Sequence, residues 1–416
     1  MSRLTDVGRL SDADVYYGWV IVAACFLASS VVFGTTYSFG VFFDRFVSDF
    51  SASHARLSLV FGVQTFVMYV GSVGVGGLID RYGVKRSLYA GTALLAGGLL
   101  WTSQSHSFLS LVVAYGVVAA LGLSTLYIVA YATVPRWFER RRGFANGIAS
   151  SGLGVGLLVV APLSSALIGR FGWRDAYVAL TVVLVAALGV VALLVVDSPE
   201  TIRADTSEEF PDGRPEETSE DWHEVVRTIR EVGLSSSFLT VFLGWVLVYG
   251  TLYVLLTYLP TYTAHAGFGK WVGVTAISII GVVTSVSRVV LGYASDSLGR
   301  LRIFVVCSAT MALSVLALSA ADSALAVFGV VTIFGIAYGG NGALLSPLTA
   351  DLFGSENINT VFGMISVAFA VAGLLAPYLA GVGFDAMGRF GPVFIATGAT
   401  GLVGATLIGV AGSRRA

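Results

Sequence analysis

The sequence predicts an all-α membrane protein with twelve transmembrane helices in two six-helix, pseudo-symmetric bundles. Hydrophobic residues make up 56% and charged residues 12% of the 416 residues, and the mean hydropathy is +0.84. A soluble globular protein of this length could not cover its surface with so few charges. The apolar residues form twelve runs, each long enough to cross a bilayer as a helix. Continuous runs rich in Gly and Ala exclude a transmembrane β-barrel, whose strands are short and alternating.

These runs, numbered here as span one to span twelve, form two sets of six. The first six spans are predicted at 16–43, 57–79, 86–104, 108–134, 143–168 and 174–196. The last six spans are predicted at 236–260, 271–295, 303–320, 323–347, 358–382 and 391–411. The first run follows a polar start and is too long for the core of a signal peptide, so we expect it to remain as span one.

A polar stretch separates the two sets. The segment Asp197–Gly233 holds 12 of the 25 acidic residues, which is typical of a solvated linker. Its final part places apolar residues at helical spacing and is compatible with an amphipathic helix on the membrane surface. The predicted domains are an N-terminal bundle at 1–196, a cytoplasmic linker at 197–235 and a C-terminal bundle at 236–416.

The distribution of Lys and Arg predicts that both termini are cytoplasmic. With this orientation, 17 of the 24 basic residues fall in cytoplasmic segments and 6 fall outside. Such a bias follows the positive-inside rule, and the even number of spans agrees with it. We therefore expect an integral protein of the plasma (cytoplasmic) membrane.

Arg288 is the one basic residue that falls in neither group, because it lies inside span eight. A charge at the centre of a membrane helix costs roughly 2.5–3.5 kcal/mol on insertion scales. Snorkelling to the interface, or a structural ion pair, is one interpretation. Against snorkelling, the span end at Asp296 is about 12 Å away, and helical side chains lean in the opposite direction. The functional interpretation is an anion-binding arginine.

Small residues share a helical face with Arg288, and we expect them to line a water-filled cavity. They are Ser278, Gly281, Ser285 and Gly292.

The two halves of the chain repeat short motifs. Gly-x-x-x-Asp-Arg-x-Gly-x-Lys-Arg at 76–86 returns 216 residues later, at 292–302, as Gly-x-x-x-Asp-Ser-x-Gly-Arg-x-Arg. Gly-Arg-Phe-Gly occurs at 169–172 and 388–391, before the last span of each half. Matches in the same order predict two parallel six-helix repeats, an arrangement in which transporters bind substrate between the halves near the midplane.

The motif at 76–86 resembles the loop signature of the major facilitator superfamily. Together with the span count, the linker and the repeat, this resemblance covers essentially the whole chain. It implies a charge–dipole latch in which Asp80, and Asp296 in mirror position, holds the cytoplasmic gate closed against a helix of the opposite half. Arg81, Arg300 and Arg136 are the basic residues that we predict to accompany the latch. The alternative is a solvated loop whose positive charges only set the topology.

Two stretches resemble the monocarboxylate transporter family within that superfamily. They are the acidic-to-aromatic-Gly-Trp run at 14–19 and the aromatic-Phe-basic run followed by small residues at 137–152. Arg288 falls where that family has its substrate-binding arginine, and the resemblance implies proton-coupled symport. Two positions depart from the animal members of the family: Thr284 stands in place of an aspartate, and Tyr37 stands in place of a lysine.

These departures leave the span cores without an obvious proton carrier. Two routes for a proton remain open. Either an acid near a loop, such as Asp44 or Glu356, titrates as the gates exchange, or the substrate crosses in protonated form with Arg288 and Tyr127 relaying the proton.

Aromatic and polar groups are predicted to complete the carboxylate site. Tyr127 and Tyr37 are the stronger candidates, because spans four and one face the central cavity in the resembled family. Tyr338, Asn341 and Ser285 are further candidates for substrate binding. For each tyrosine taken singly, packing between helices with a satisfied hydroxyl is the competing interpretation.

The predicted function is secondary active transport of small monocarboxylates such as lactate or pyruvate, by proton-coupled symport and alternating access. The alternative is an organic-anion exchanger or an uncoupled carboxylate transporter, including one for dicarboxylates. The expected partners are the monocarboxylate, a proton and the lipid bilayer, and we expect the protein to act as a monomer.

An enzyme is not predicted, because the histidines do not form a nucleophile–base or metal constellation with other residues. These histidines are His54, His106, His223 and His265, all in or near loops. Cys25 and Cys307 lie inside apolar runs, so we expect packing rather than a metal site or a disulfide. The sequence indicates no cofactor and no nucleic-acid partner.

Overall fold

The structure, a computed structural model, describes residues 17–137, 142–196, 230–354 and 358–413, and all regular elements in these ranges are helical. In the first half, span one is Gly18–Phe50, span two His54–Tyr82 and span three Val84–Ser103. Span four combines Phe108–Leu111, the π-helical stretch Val112–Ala119 and Ala120–Ala132. Spans five and six lie within Arg142–Leu194. The short helix Val134–Trp137 precedes them.

The second half repeats this plan. Spans seven to nine are Ser236–His265, Lys270–Leu298 and Arg300–Ala317, the last extended by a 3-10 turn at Leu318–Ala320. Spans ten to twelve are Ala324–Ala343, Ile358–Met387 and Phe390–Ser413. A short helix at Leu345–Phe353 lies between spans ten and eleven.

Within the described residues, nine helices are long and apolar enough to cross a membrane. One of them, Gly147–Leu194, is 48 residues long and bends at Gly172, where φ is 81°. A φ of this value lies outside the helical range and is favourable only for glycine. The bend at Gly172 therefore ends span five and begins span six. Spans two and three, with 29 and 20 residues, complete the predicted twelve.

Several helices continue beyond the apolar runs that predicted them. Span one was predicted to end at residue 43 and ends at Phe50, and span seven continues past residue 260 to His265. Hydropathy detects the part of a helix inside the bilayer, whereas backbone hydrogen bonding continues into the polar turns beyond it.

The repeated loop motif has the same backbone geometry in both halves. Gly83 has φ 86° and Gly299 has φ 89°, and each glycine separates two long helices. A side chain at either position would strain the backbone. The repeat found in the sequence therefore corresponds to a repeated turn.

The two six-helix bundles meet along paired helices. Span two packs against span eleven, span eight against span five, and span one against span seven. The contact between spans five and eight is close: a Cβ on Gly154 would lie 2.2 Å from the Gly281 carbonyl oxygen, and a Cβ on Gly281 would lie 2.4 Å from the Gly154 carbonyl oxygen. Small residues permit this approach of two backbones.

The expectation that the small residues of span eight line a cavity is wrong for most of them. Gly281 touches span five, the Ser285 hydroxyl donates to the Ser151 carbonyl oxygen at 3.0 Å, and the Ser278 hydroxyl reaches the Leu158 carbonyl oxygen at 3.4 Å. Of the four, Gly292 lies along the cavity described below. A stripe of small residues serves helix contact as well as solvent access, and spacing along one helix does not distinguish the two.

The predicted linker lies outside the described residues as far as residue 229, and so does the amphipathic segment except for its last residues, which are helical from residue 230.

Candidate functional site

A cavity of about 900 Å³ lies between the two bundles. Its wall includes residues of span one, such as Tyr37, span four, such as Tyr127, span eight, such as Arg288, and span ten, such as Tyr338. From this centre the cavity extends to the end of the molecule that holds Gly147, Ser295 and Arg300, named here the Arg300 end. Both halves of the chain therefore contribute to the site.

Arg288 reaches this cavity from span eight and is half-buried. Its Nη1 lies 3.4 Å from the Ser150 carbonyl oxygen in span five, and its buried Nε has no hydrogen-bond partner. The guanidinium carbon lies 5.8 Å from the ring centroid of Tyr338. Among the described side chains, no carboxylate lies within ion-pair distance of Arg288. The Arg288 side chain faces the cavity rather than the membrane–water interface. Its guanidinium keeps hydrogen-bonding capacity for an anion.

Tyrosine side chains line the cavity together with Arg288. They include Tyr338, Tyr131, Tyr249 and Tyr37. Tyr37 and Tyr131 belong to the N-terminal bundle, whereas Tyr249, Tyr338 and Arg288 belong to the C-terminal bundle. A carboxylate at Arg288 would therefore lie among hydroxyl donors from both halves.

Three predicted tyrosines, Tyr37, Tyr127 and Tyr338, lie along the cavity with Arg288. The other two candidates have different positions. Asn341 is fully buried, donates from Nδ2 to the Ser308 hydroxyl at 2.8 Å and accepts a hydrogen bond from the Tyr249 hydroxyl. Ser285, with its hydroxyl on span five, is also absent from the cavity wall. Asn341 thus orients Tyr249 instead of facing the cavity.

The predicted set of site residues omits several aromatic residues that line the cavity, among them Tyr69, Tyr131 and Phe369. Tyr131 shares a helical face with Tyr127, and this four-residue spacing indicates that Tyr131 also faces the cavity. For Tyr69 and Phe369 the sequence carries no signal, because a ring in an apolar helix looks the same whether it faces a cavity, another helix or lipid.

The opposite end of the molecule, named here the Asp385 end, joins the two bundles. Asp44 of span one accepts a hydrogen bond from the Thr261 hydroxyl at 2.6 Å and forms an ion pair with Lys270 at 2.8 Å. Asp385 of span eleven contacts the first residues of span two, 2.9 Å from the amide nitrogen of Ala55. Among the described residues, the bundles are thus tied at the Asp385 end, whereas the cavity extends toward the Arg300 end.

The predicted gating residues lie at the Arg300 end. The side chains of Asp80, Asp296 and Arg136 lie outside those that the structure describes. Arg81 is exposed, with its guanidinium 5.5 Å from the ring centroid of Tyr82, and Arg300 forms an ion pair with Asp351 at 3.0 Å. Since Arg300 and Asp351 belong to the same half, this pair does not bridge the bundles.

A model of the family described as Major Facilitator Superfamily matches residues 25–377 and 275–414 of the chain. The chain belongs to this superfamily. The loop motif predicted this superfamily, and the match confirms it over almost the entire length of the chain.

Relatives with known names support the narrower resemblance. The chain is 27% identical to monocarboxylate transporter 12 of Rattus norvegicus, with 99% of this chain and 88% of that protein covered. It is 26% identical to monocarboxylate transporter 13 of Rattus norvegicus, with 97% and 90% covered. It is 25% identical to monocarboxylate transporter 2 of Mus musculus, with 95% and 84% covered. The chain is therefore similar to monocarboxylate transporters over most of its length.

The fold also matches a solved structure. The chain superposes with a TM-score of 0.70 on the crystal structure of a bacterial homologue of the human lysosomal transporter Spinster in an inward-facing and unoccupied conformation. The two share 16% identity, and the match covers 97% of this chain and 96% of the other. The major facilitator fold is thereby confirmed, and this superfamily member is an integral membrane protein.

Proposed function

We propose that this protein is a secondary active transporter of small monocarboxylates, with Arg288 as the residue that binds the carboxylate. The observation that supports it is a cationic side chain between the bundles whose buried Nε has no hydrogen-bond partner. Desolvating a guanidinium without a counter-ion is costly, and an anionic substrate offsets that cost. The planar guanidinium can hold a carboxylate through two parallel hydrogen bonds.

Substrate binding would couple directly to gating. Arg288 lies on the C-terminal bundle, and Tyr37, Tyr127 and Tyr131 face it from the N-terminal bundle. A carboxylate held between them favours states in which the two bundles approach each other around the substrate. Alternating access then follows from a shift between states open at the Arg300 end and states open at the Asp385 end.

We further propose proton-coupled symport. Among the described cavity-lining residues there is no Asp, Glu, His or Lys, so the proton must travel with the substrate or act at a gate. Asp44 is the gate acid that supports this second route, since it ties the two bundles together through Thr261 and Lys270. Co-transport of a proton with the acid keeps the cycle electrically neutral.

The alternative is exchange of organic anions without a proton. The absence of an acid among the described cavity-lining residues favours it. A dicarboxylate would need a second cation near Arg288, but Arg300 lies at the far end of the cavity and is paired with Asp351.

We propose a plasma-membrane protein with cytoplasmic termini, acting as a monomer, whose bundles are 1–196 and 236–416. In this orientation the Arg300 end faces the cytoplasm. The function is transport rather than catalysis.

Reconstitution tests the central claim. In proteoliposomes, Arg288→Ala should abolish saturable uptake of labelled lactate, and Arg288→Lys should retain little, because an ammonium cannot reproduce the planar fork. The exposed Arg389 provides the control, and Arg389→Ala should transport normally. Normal saturable uptake by Arg288→Ala would refute the proposed role of this residue.

An inward pH gradient distinguishes the two mechanisms. Under symport it should drive lactate accumulation that a protonophore abolishes. Accumulation that ignores the gradient and requires a carboxylate on the opposite side would establish exchange.

A further inference from the structure

The wall of the cavity is unusually aromatic for a site that receives a three-carbon acid. Ten of the 25 lining residues that the structure describes are tyrosine or phenylalanine. Its volume of about 900 Å³ lies near the top of the range for sites that bury a drug-sized ligand. A lactate ion bound at Arg288 would leave most of this space, and most of these rings, without contact.

Five of these rings form a continuous arc. Ring centroids lie 4.8 Å apart for Tyr131 and Tyr127, 5.6 Å for Tyr127 and Tyr69, and 5.4 Å for Tyr69 and Phe369. The last contact, between Phe369 and Tyr249, is 4.5 Å. The arc therefore crosses from the N-terminal bundle to the C-terminal bundle, joining them through Tyr69 and Phe369.

The two ends of the arc share the cavity with Arg288. Tyr131 begins the arc and Tyr249 ends it, and both line the same cavity as the guanidinium. The guanidinium and the arc therefore bound one space. A carboxylate held by Arg288 would direct its substituent toward the aromatic rings of the arc.

Charge restricts the substituent further. The charged residues among the described lining residues are Arg288 and Arg300, and both are cationic. An amino acid would bring an ammonium group into a space with no carboxylate to receive it, which is unfavourable in a low-dielectric cavity. The site discriminates in favour of acids without an amine.

We infer that the preferred substrates are aryl-substituted monocarboxylates without an amino group, with the carboxylate at Arg288 and the aromatic ring against Tyr69, Tyr127 and Phe369. This inference rests on the proposed function and specifies the substrate class of the same site. Aromatic rings pack in tilted and edge-to-face geometries, and one such contact strengthens binding roughly two- to twelvefold beyond the area buried.

Calorimetric titration of the purified full-length protein in detergent tests this assignment. The ligands are propanoate, 3-phenylpropanoate, 3-cyclohexylpropanoate and phenylalanine. The phenyl acid should bind at least several-fold more tightly than the cyclohexyl acid, which matches its size but has no π face. Propanoate should bind more weakly than both, and phenylalanine should not bind.

Substitutions in the arc separate aromatic recognition from a structural effect. Tyr69→Leu and Phe369→Leu should each lower the affinity for 3-phenylpropanoate at least threefold more than they lower the affinity for propanoate. Tyr89 is 55% exposed on span three, outside the cavity, and Tyr89→Leu is the matched control with no expected effect. A loss of affinity for both acids alike would mean that the rings only support the fold, and would overturn the inference.

The experiment distinguishes failure of the aromatic assignment from failure of the proposed function. If propanoate binds in an Arg288-dependent manner but the phenyl acid binds no better than the cyclohexyl acid, the aromatic assignment is wrong and the proposed function stands. If no carboxylate binds in an Arg288-dependent manner, the proposed function itself is wrong.

Discussion

Asp385, near the end of span eleven, binds the beginning of span two at His54. Its Oδ1 accepts a hydrogen bond from the His54 amide at 3.1 Å and lies 3.0 Å from the imidazole Nδ1, while its Oδ2 accepts one from the Ala55 amide at 2.9 Å. A carboxylate at a helix N-terminus interacts favourably with the helix dipole. A charge–dipole contact of the kind predicted for Asp80 and Asp296, whose side chains lie outside those that the structure describes, thus joins opposite bundles at the Asp385 end.

Replacing Asp385 should weaken the closure at this end. Asp385→Asn keeps an acceptor but removes the charge, and a carboxylate at a helix N-terminus contributes roughly 0.3–2 kcal/mol. We expect the ratio of the two states to shift roughly two- to thirtyfold toward the state open at the Asp385 end. A cysteine introduced at Leu252, on the cavity wall, should then react with membrane-impermeant reagents added at that end. Asp322, an exposed loop residue, provides the control Asp322→Asn. Equal labelling of the two variants would contradict the latch.

Gly342 provides a test of how Arg288 is positioned. A Cβ on Gly342 would lie 2.6 Å from Arg288 Nη2 and 3.0 Å from Cζ, so Gly342→Ala should displace the guanidinium without removing its charge. We expect KM for the carboxylate to rise several-fold. Alanine is favoured over glycine in helices by up to about 1 kcal/mol, so unfolding would not explain that change.

Gly329→Ala is the control for this substitution, because a Cβ at Gly329 of the same helix has no neighbour within 4 Å. An unchanged KM in Gly342→Ala would show that the position of the guanidinium does not limit binding.

Asp44 and Asp49 allow a matched test of coupling. Both are acids near the end of span one, but Asp44 pairs with Lys270 of the other bundle, whereas Asp49 pairs with Arg174 of its own bundle at 2.7 Å. If Asp44 carries the coupling proton, Asp44→Asn should abolish lactate accumulation driven by a pH gradient and preserve exchange against internal lactate. Asp49→Asn should retain both activities. Full gradient-driven accumulation by Asp44→Asn would leave protonated substrate as the route for the proton.

The close contact between spans five and eight should not tolerate a larger side chain at Gly154. In Gly154→Ala the new Cβ would lie 1.9 Å from the Ser285 hydroxyl oxygen and 2.2 Å from the Gly281 carbonyl oxygen. Overpacking of this kind costs roughly 1–3 kcal/mol, so Tm in detergent should fall. Gly169→Ala, in the same span with no neighbour within 4 Å of its Cβ, should leave Tm unchanged or slightly raised.

The position of Arg288 in a central cavity could be predicted because a charge inside an apolar helix is a local and costly feature. The positions of Tyr37, Tyr127 and Tyr338 along the same cavity followed from the resemblance together with their spacing. Asn341 shows the limit of this reasoning: it is buried and polar as expected, yet its amide is occupied by Ser308 and Tyr249. A polar residue in a membrane helix needs partners, and the sequence does not tell which partners reach it.

By itself, the sequence determined the helical class, the six-plus-six repeat, the superfamily and the one cation of the cavity centre, since hydropathy, motif spacing and charge are all properties of neighbouring residues. Only the tertiary structure decided which helix faces meet, which end is joined and which aromatic rings enclose Arg288. Tyr69 and Tyr89 both lie in long helices, but Tyr69 is 8% exposed and lines the cavity, whereas Tyr89 is 55% exposed. The physical reason is that lipid and protein interiors are both apolar, so hydrophobic periodicity cannot tell a face that meets another helix from a face that meets the membrane.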